Sequence, residues 1–424
     1  MKQILDKLDT STRRRFVERC AAASLGLSIL PGNSFVSAQT REQRHPAFGK
    51  AKHVIWLMLS GGLSHIDSLD PKKGKSKGPA KPIRTSASFQ VTDYFPKFAS
   101  VADRLCVIRS MEAKIGVHKP AQYFMRTAFE PRGTIVHPTL GAWGSHYLGR
   151  SSDHLPSSVC VNRRSDQGNG FFSSSYAPLA IGDPTQGISD VESIGGSAAA
   201  RKRVALLNEL DSGFRSRLND KGVAAYNGFY DDALALMKSK DLEAFDLSKE
   251  TSQQRSAYGD HSFGQGCLLA RRLVESGVRF VEVKHEGWDH HKALADEMSD
   301  VAPVFDQAFS ALIKDLEQRG MLESTLVVVA TEFGRKPNFD GDGRSHHPIC
   351  FSTVLAGGGV KEGFVYGKSD DAGYYVDENP VSVGSFHSSI AYAAGMEITQ
   401  PAISPSGRPM SVGDGEQPIL ELFA

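Results

Sequence analysis

The stretch that most constrains this chain is Thr325-Leu-Val-Val-Val-Ala-Thr-Glu-Phe-Gly-Arg335. Five apolar, mostly β-branched residues in a row suit a strand buried on both faces, the pattern of an inner strand in a parallel sheet covered by helices. A carboxylate, Glu332, and a guanidinium, Arg335, stand where that strand ends. In open α/β sheets, ligand sites lie at the carboxyl ends of the strands. His346 and His347 follow on a Gly/Asp-rich loop, beside Arg344. Imidazole nitrogen and carboxylate oxygen converging there form the donor set of a hard-to-intermediate cation.

The rest of the chain repeats this layout. His53–Leu59 reads as a first buried strand, and it runs into Gly61, Gly62, Ser64, His65, Asp67 and Asp70. Leu105–Arg109 is a second, short strand. His118 opens a helix to about Ala128 with Pro120 in its first turn, and a helix N-terminus favours an anion. A third strand, Val278–Lys284, leads to His285-Glu-Gly-Trp-Asp-His-His291, where three histidines and two carboxylates fall within seven residues. Burying so many ionisable groups without compensation is costly, which favours ligation over a purely structural role. A long helix from Leu294 to Arg319, a strand over Ile349–Gly359 and a helix over Ser385–Gly395 complete the reading. Strands alternating with helices predict an α/β fold whose mostly parallel sheet is covered on both faces. Ligand-type clusters then follow three strands, and a doubly wound sheet brings them to one edge.

The first forty residues are of another kind. Adjacent arginines before a Phe, Thr12-Arg-Arg-Arg-Phe-Val17, precede a modest apolar run, Cys20–Leu30, and a small-residue cleavage site, Val36-Ser-Ala38. This predicts a twin-arginine signal peptide over residues 1–38, a periplasmic or extracellular mature protein, and no stable membrane span once the leader is removed. The leader carries six Lys/Arg against three Asp/Glu in a chain of net charge +1, so the mature part is slightly acidic and has no nucleic-acid footprint. Cys106, Cys160, Cys267 and Cys350 show no Cys-x-x-Cys spacing and are expected as buried free thiols, with one disulfide as the alternative. The Ser/Gly/Asp/Pro-rich stretch from about 150, and the charged helical pattern that follows it to about 250, read as a surface insertion within a domain spanning 45–424.

Four segments together resemble domain-of-unknown-function family 1501, in the alkaline phosphatase and sulfatase superfamily: Gly61–Lys72, Gly287–His291, Thr331–Pro337 and Gly343–Pro348. The resemblance extends from about residue 53 to 400. It implies a three-layer α/β/α sandwich, alkaline phosphatase-like, with one or two divalent metal ions, Zn, Mn, Ca and Mg being left undistinguished. It also implies roles: Asp289, His291 and either His346 or His347 for a first metal, Glu332 for the acidic position of a second, and Asp67 with His65 or Asp70 for the first-strand carboxylate. His118 stands where sulfatases hold the Cys or Ser that becomes formylglycine, and Phe333 where many members place a metal-binding His or Asn.

The expected function is therefore an exported metal-dependent hydrolase of phosphate or sulfate esters, acting on a small-molecule or glycan ester. The cation would polarise the ester oxygen and acidify a water. His118 is then the candidate catalytic side chain, and Arg335 or Arg344 steadies the anion through forked hydrogen bonds. The alternative is a non-catalytic exported protein that keeps a metal on the same fold and binds a sulfated glycan or a protein partner.

Overall fold

A computed structural model describes residues 44–163, 168–188 and 239–424, with residues 206 and 235–237 besides. The leader and much of the 150–250 stretch lie outside the described residues. Pro46–Ala424 forms one unit. Its framework is a nine-stranded sheet: β1 (His53–Leu59), β2 (Leu105–Glu112), β3 (Ser158–Val161), β4 (Leu179–Ile181), β5 (Phe280–His285), β6 (Thr325–Ala330), β7 (Phe351–Ala356), β8 (Phe364–Tyr366) and β9 (Val381–Ser382). The spatial order is β8-β2-β7-β6-β1-β5-β3-β4, with β9 also paired to β2. Only β7 runs antiparallel to its neighbours β2 and β6; every other pairing in this sheet is parallel.

The pleat sorts the apolar runs into two cores. Ile55, Leu57 and Leu59 of β1, with Val327 and Val329 of β6, face one side. Val54, Trp56 and Met58, with Leu326, Val328 and Ala330, face the other. Helices α1 (His118–Thr127), α2 (Leu140–Leu148), α3 (Ser262–Glu275), α4 (Leu294–Gln318) and α5 (Val383–Ala394) close both faces. Leu268, Phe305 and Phe309 of α3 and α4 pack on the first face; Met125, Trp143, Phe386 and Ile390 of α1, α2 and α5 pack on the second. Each fully buried side chain of this size stabilises the fold by about 1.5–3 kcal/mol relative to exposure. The result is the three-layer sandwich expected from the sequence.

Part of the 150–250 stretch departs from the expectation of a surface excursion, because β3 and β4 extend the main sheet beyond β5. All four residues of β3 are buried. Cys106, Cys267 and Cys350 are buried free thiols, and Cys160 is buried beside Arg126 and Glu282.

Candidate metal centre

The carboxyl ends of β5, β1 and β6 lie side by side in the middle of the sheet. From β5 the chain passes through Gly287 to Asp289 and His291; from β6 it passes to Glu332 and Arg335. Gly61, just past β1, has φ +127°, and a Cβ there would lie 2.5 Å from the Asp289 backbone nitrogen. Glycine is therefore what lets the β1 loop approach Asp289 so closely. Its amide donates to Glu332 Oε1 at 2.9 Å.

Four side chains converge here: His118, Asp289, His291 and His346 each offer a ligand atom, all within 4.8 Å of one another. His118 is the first residue of α1. His346 comes from a two-residue ribbon in which His346 pairs with Arg335 and His347 with Gly334. Successive strand residues point to opposite faces, so only one of the adjacent histidines can join the cluster. His346 Nε2 lies 2.8 Å from His291 Nε2 and 3.4 Å from Asp289 Oδ1. His347 turns away and is buried, with Nε2 on the Tyr374 carbonyl at 2.6 Å.

Hydrogen bonds outside the cluster orient its rings. The Gly116 carbonyl can only accept, so His346 Nδ1, 2.8 Å away, carries the proton. Burial lowers the His346 pKa, so the ring is neutral and its Nε2 lone pair faces the centre. His118 Nδ1 donates to Glu332 Oε1 at 2.9 Å, which directs its Nε2 inward. That nitrogen lies 3.1 Å from Asp289 Oδ2 without the alignment of a hydrogen bond, and is buried without a hydrogen-bond partner. The Glu332 hydrogen bond, aided by Asp289, raises the His118 pKa. At Asp289 burial pushes the carboxyl up, but the hydrogen bond and charge of Arg335 outweigh it and hold the pKa at about 2.

The other candidates from the sequence occupy different positions. Asp67 is fully buried, paired with Arg344 Nε at 2.7 Å and accepting from Ser64 Oγ. His65 places Nε2 on the Gly373 carbonyl at 2.8 Å and stacks near His347. Asp70 accepts from Ser369 Oγ and pairs with Lys72 and Arg109. Arg335 and Arg344 are fully buried. Arg335 donates to the carbonyls of Gly61, Gly62, Trp288 and Arg344 and to Asp289; Arg344 donates to Asp67 and to the carbonyls of Ser76, Lys336 and Pro337. Neither guanidinium presents a fork to solvent. Gln122, which the sequence reading did not single out, donates to Glu332 Oε1 at 3.0 Å. Its signal was available: it lies one helical turn after His118, on the same face of α1.

Three imidazoles and one carboxylate, with two ring orientations fixed by outer acceptors, fit a metal ion by donor chemistry and by the arrangement around the donors. Fold and cluster thus define an α/β protein with a candidate metal centre at the carboxyl edge of its sheet. The chain belongs to the family described as Protein of unknown function (DUF1501), whose model matches residues 51–423. No curated protein matches it in sequence. Among solved structures it is similar to the PsFucS1 sulfatase from Pseudoalteromonas sp., at 11% identity over 84% of this chain and 70% of that one, with a TM-score of 0.40. It is also similar to the phosphonate monoester hydrolase SpPMH from Silicibacter pomeroyi, at 10% identity over 82% and 74%, TM-score 0.40. A third similar structure is the alkaline phosphatase of the Antarctic bacterium TAB5, at 12% identity over 74% and 94%, TM-score 0.35. No helix among the described residues is long and apolar enough to cross a membrane.

Proposed function

We propose that this protein is an exported, metal-dependent hydrolase of phosphate or sulfate esters, with His118, Asp289, His291 and His346 as the metal ligands. The observation that carries this reading is the inward pair of imidazole nitrogens, Nε2 of His118 and of His346, each fixed by an acceptor on the far side of its ring. A nitrogen-rich set suits a first-row transition ion such as zinc better than Ca or Mg. When bound, such an ion supplies Lewis acidity toward an ester oxygen.

The protein's own groups supply the rest. Asp289 is ionised across the physiological range, and Arg335 holds one of its oxygens. Helix α1 starts at His118 with no side-chain cap, so its first turn brings a positive dipole end to the centre and favours an anionic ester. With a divalent ion present, Asp289, Glu332 and Arg335 leave a net positive charge facing that anion. Export is supported by the arginine-rich leader and its Val36-Ser-Ala38 site.

The four clustered side chains are three imidazoles and one carboxylate, none of them a hydroxyl or thiol. This favours a second reading, a metal-containing protein that binds a sulfated glycan without turning it over. The test is metal analysis of the mature protein with assays on aryl phosphate and aryl sulfate esters, beside an Asp289→Ala, His291→Ala variant. A hydrolase retains a transition ion and turns over one ester class, and the variant loses both. Metal retained without turnover of any ester supports the binding protein, and no retained metal in a folded wild type rejects both.

A further inference from the structure

The carboxylates that follow the central strands include Asp67 after β1, Asp289 after β5 and Glu332 after β6. They differ in what is left for a cation. The Asp289 side chain is 48% exposed, whereas those of Asp67 and Glu332 are 0% exposed. Asp67 spends Oδ2 on Arg344 Nε and Ser64 Oγ, and its Oδ1 lies 3.3 Å from Arg344 Nη2. Displacing Arg344 to admit a metal would strand a buried guanidinium, which is strongly unfavourable. Glu332 Oε1 accepts three donors, Gly61 N, His118 Nδ1 and Gln122 Nε2, at 2.9, 2.9 and 3.0 Å, and its Oε2 has Thr331 Oγ1 at 3.5 Å. His65 and His347 place their Nε2 atoms on backbone carbonyls. The Arg335 guanidinium is fully buried, anchored on four carbonyls and paired with Asp289. A second divalent ion would meet this fixed positive charge, and the carboxylate beside it, Glu332, is already held through Oε1 by three donors.

Resting on the metal-dependent reading above, we infer that the centre takes a single metal ion, and that Glu332 is not a ligand but a positioning residue that orients His118. Arg335 supplies, as a built-in cation, the charge that a second ion would otherwise bring to Asp289. Glu332 acts through His118: it accepts the hydrogen bond from Nδ1–H and so keeps Nε2 aimed at the cluster. Gln122 and the Gly61 amide hold the carboxylate in place for that task.

The experiment is elemental analysis of the mature protein with titration of the metal-free form by Co²⁺, followed by the visible absorption of bound cobalt. Wild type, Glu332→Ala, Glu332→Gln and Asp67→Asn are compared. The expected result is one equivalent in all four. Glu332→Ala should bind cobalt roughly 10–100-fold more weakly and with a shifted band, as loss of an outer acceptor typically does. Glu332→Gln should recover most of that affinity, since its amide oxygen still accepts from Nδ1. Two equivalents in the wild type, falling to one in Glu332→Gln or Asp67→Asn, would overturn this inference and leave the metal-dependent reading standing. Unchanged affinity and an unchanged cobalt band in Glu332→Ala would overturn the positioning role. No metal in a folded wild type would remove the reading on which the inference rests.

Discussion

Acid should unfold this protein well above the pH at which its carboxylates titrate, because several histidines are folded in their neutral form. Burial lowers the pKa of His65 to about 4, that of His285 to about 3 and that of His387 to about 4, against an unfolded value of 6.5. The surroundings offer little relief. His65 faces Asp70 but also Lys72 and His347, His285 faces His261, and His387 has the Met125 carbonyl. The unfolded chain therefore binds these protons first. Their contribution to stability is complete above about pH 6.5 and is lost as pH falls toward about 4. At about pH 5 each histidine costs about 2 kcal/mol and the three together about 6 kcal/mol, against a typical total stability of about 5–15 kcal/mol. His118 works in the opposite sense, since Glu332 raises its pKa: its contribution is present below the unfolded value and lost as pH rises through the folded one. Comparing wild type with His387→Gln cancels His118. Urea unfolding of the metal-free protein at about pH 7.5 and about pH 5 should show the variant losing about 2 kcal/mol less than the wild type on acidification. Equal losses in the two proteins would refute the claim that His387 is held neutral by burial.

Two further outcomes test the scaffold. Arg344→Met should cost about 3–5 kcal/mol in urea unfolding near neutral pH, because it leaves the carboxylate of Asp67 buried without its partner; a cost below about 1 kcal/mol would mean that water reaches the pair. Gly343→Ala should abolish cobalt binding while the bulk of the sheet stays folded by circular dichroism, since a Cβ there would lie 2.1 Å from the His291 carbonyl carbon; binding at wild-type affinity would show that this loop yields freely.

How much of this was legible in the sequence depends on how local each feature is. β1 spans the residues the apolar run marked, and β6 follows the Leu-Val-Val-Val-Ala pattern, because a strand buried on both faces has to be apolar throughout. The clusters after β1, β5 and β6 were visible as dense polar runs, and the sheet order does set those strand ends side by side. β3 and β4 were not visible, being four and three residues long in a Ser/Gly-rich context that offers no sustained period. The division between His346 and His347 was also out of reach, since it depends on their pairing register with Gly334–Arg335. Arg335 and Arg344 drew attention as anion binders because charge is local information. Their burial is not, since it rests on carbonyls and carboxylates contributed by distant loops.

The centre is assembled from parts far apart along the chain: His118 and Glu332 are separated by 214 positions, and His291 and His346 by 55. An unfolded chain has no such constellation, so an ion that binds here binds the native state far better than the unfolded one. That preference is added to folding and grows with free metal, up to RT ln(1 + [M]/Kd). The melting temperature of this protein should accordingly act as a gauge of free metal around it, rising with each increment in concentration above the Kd.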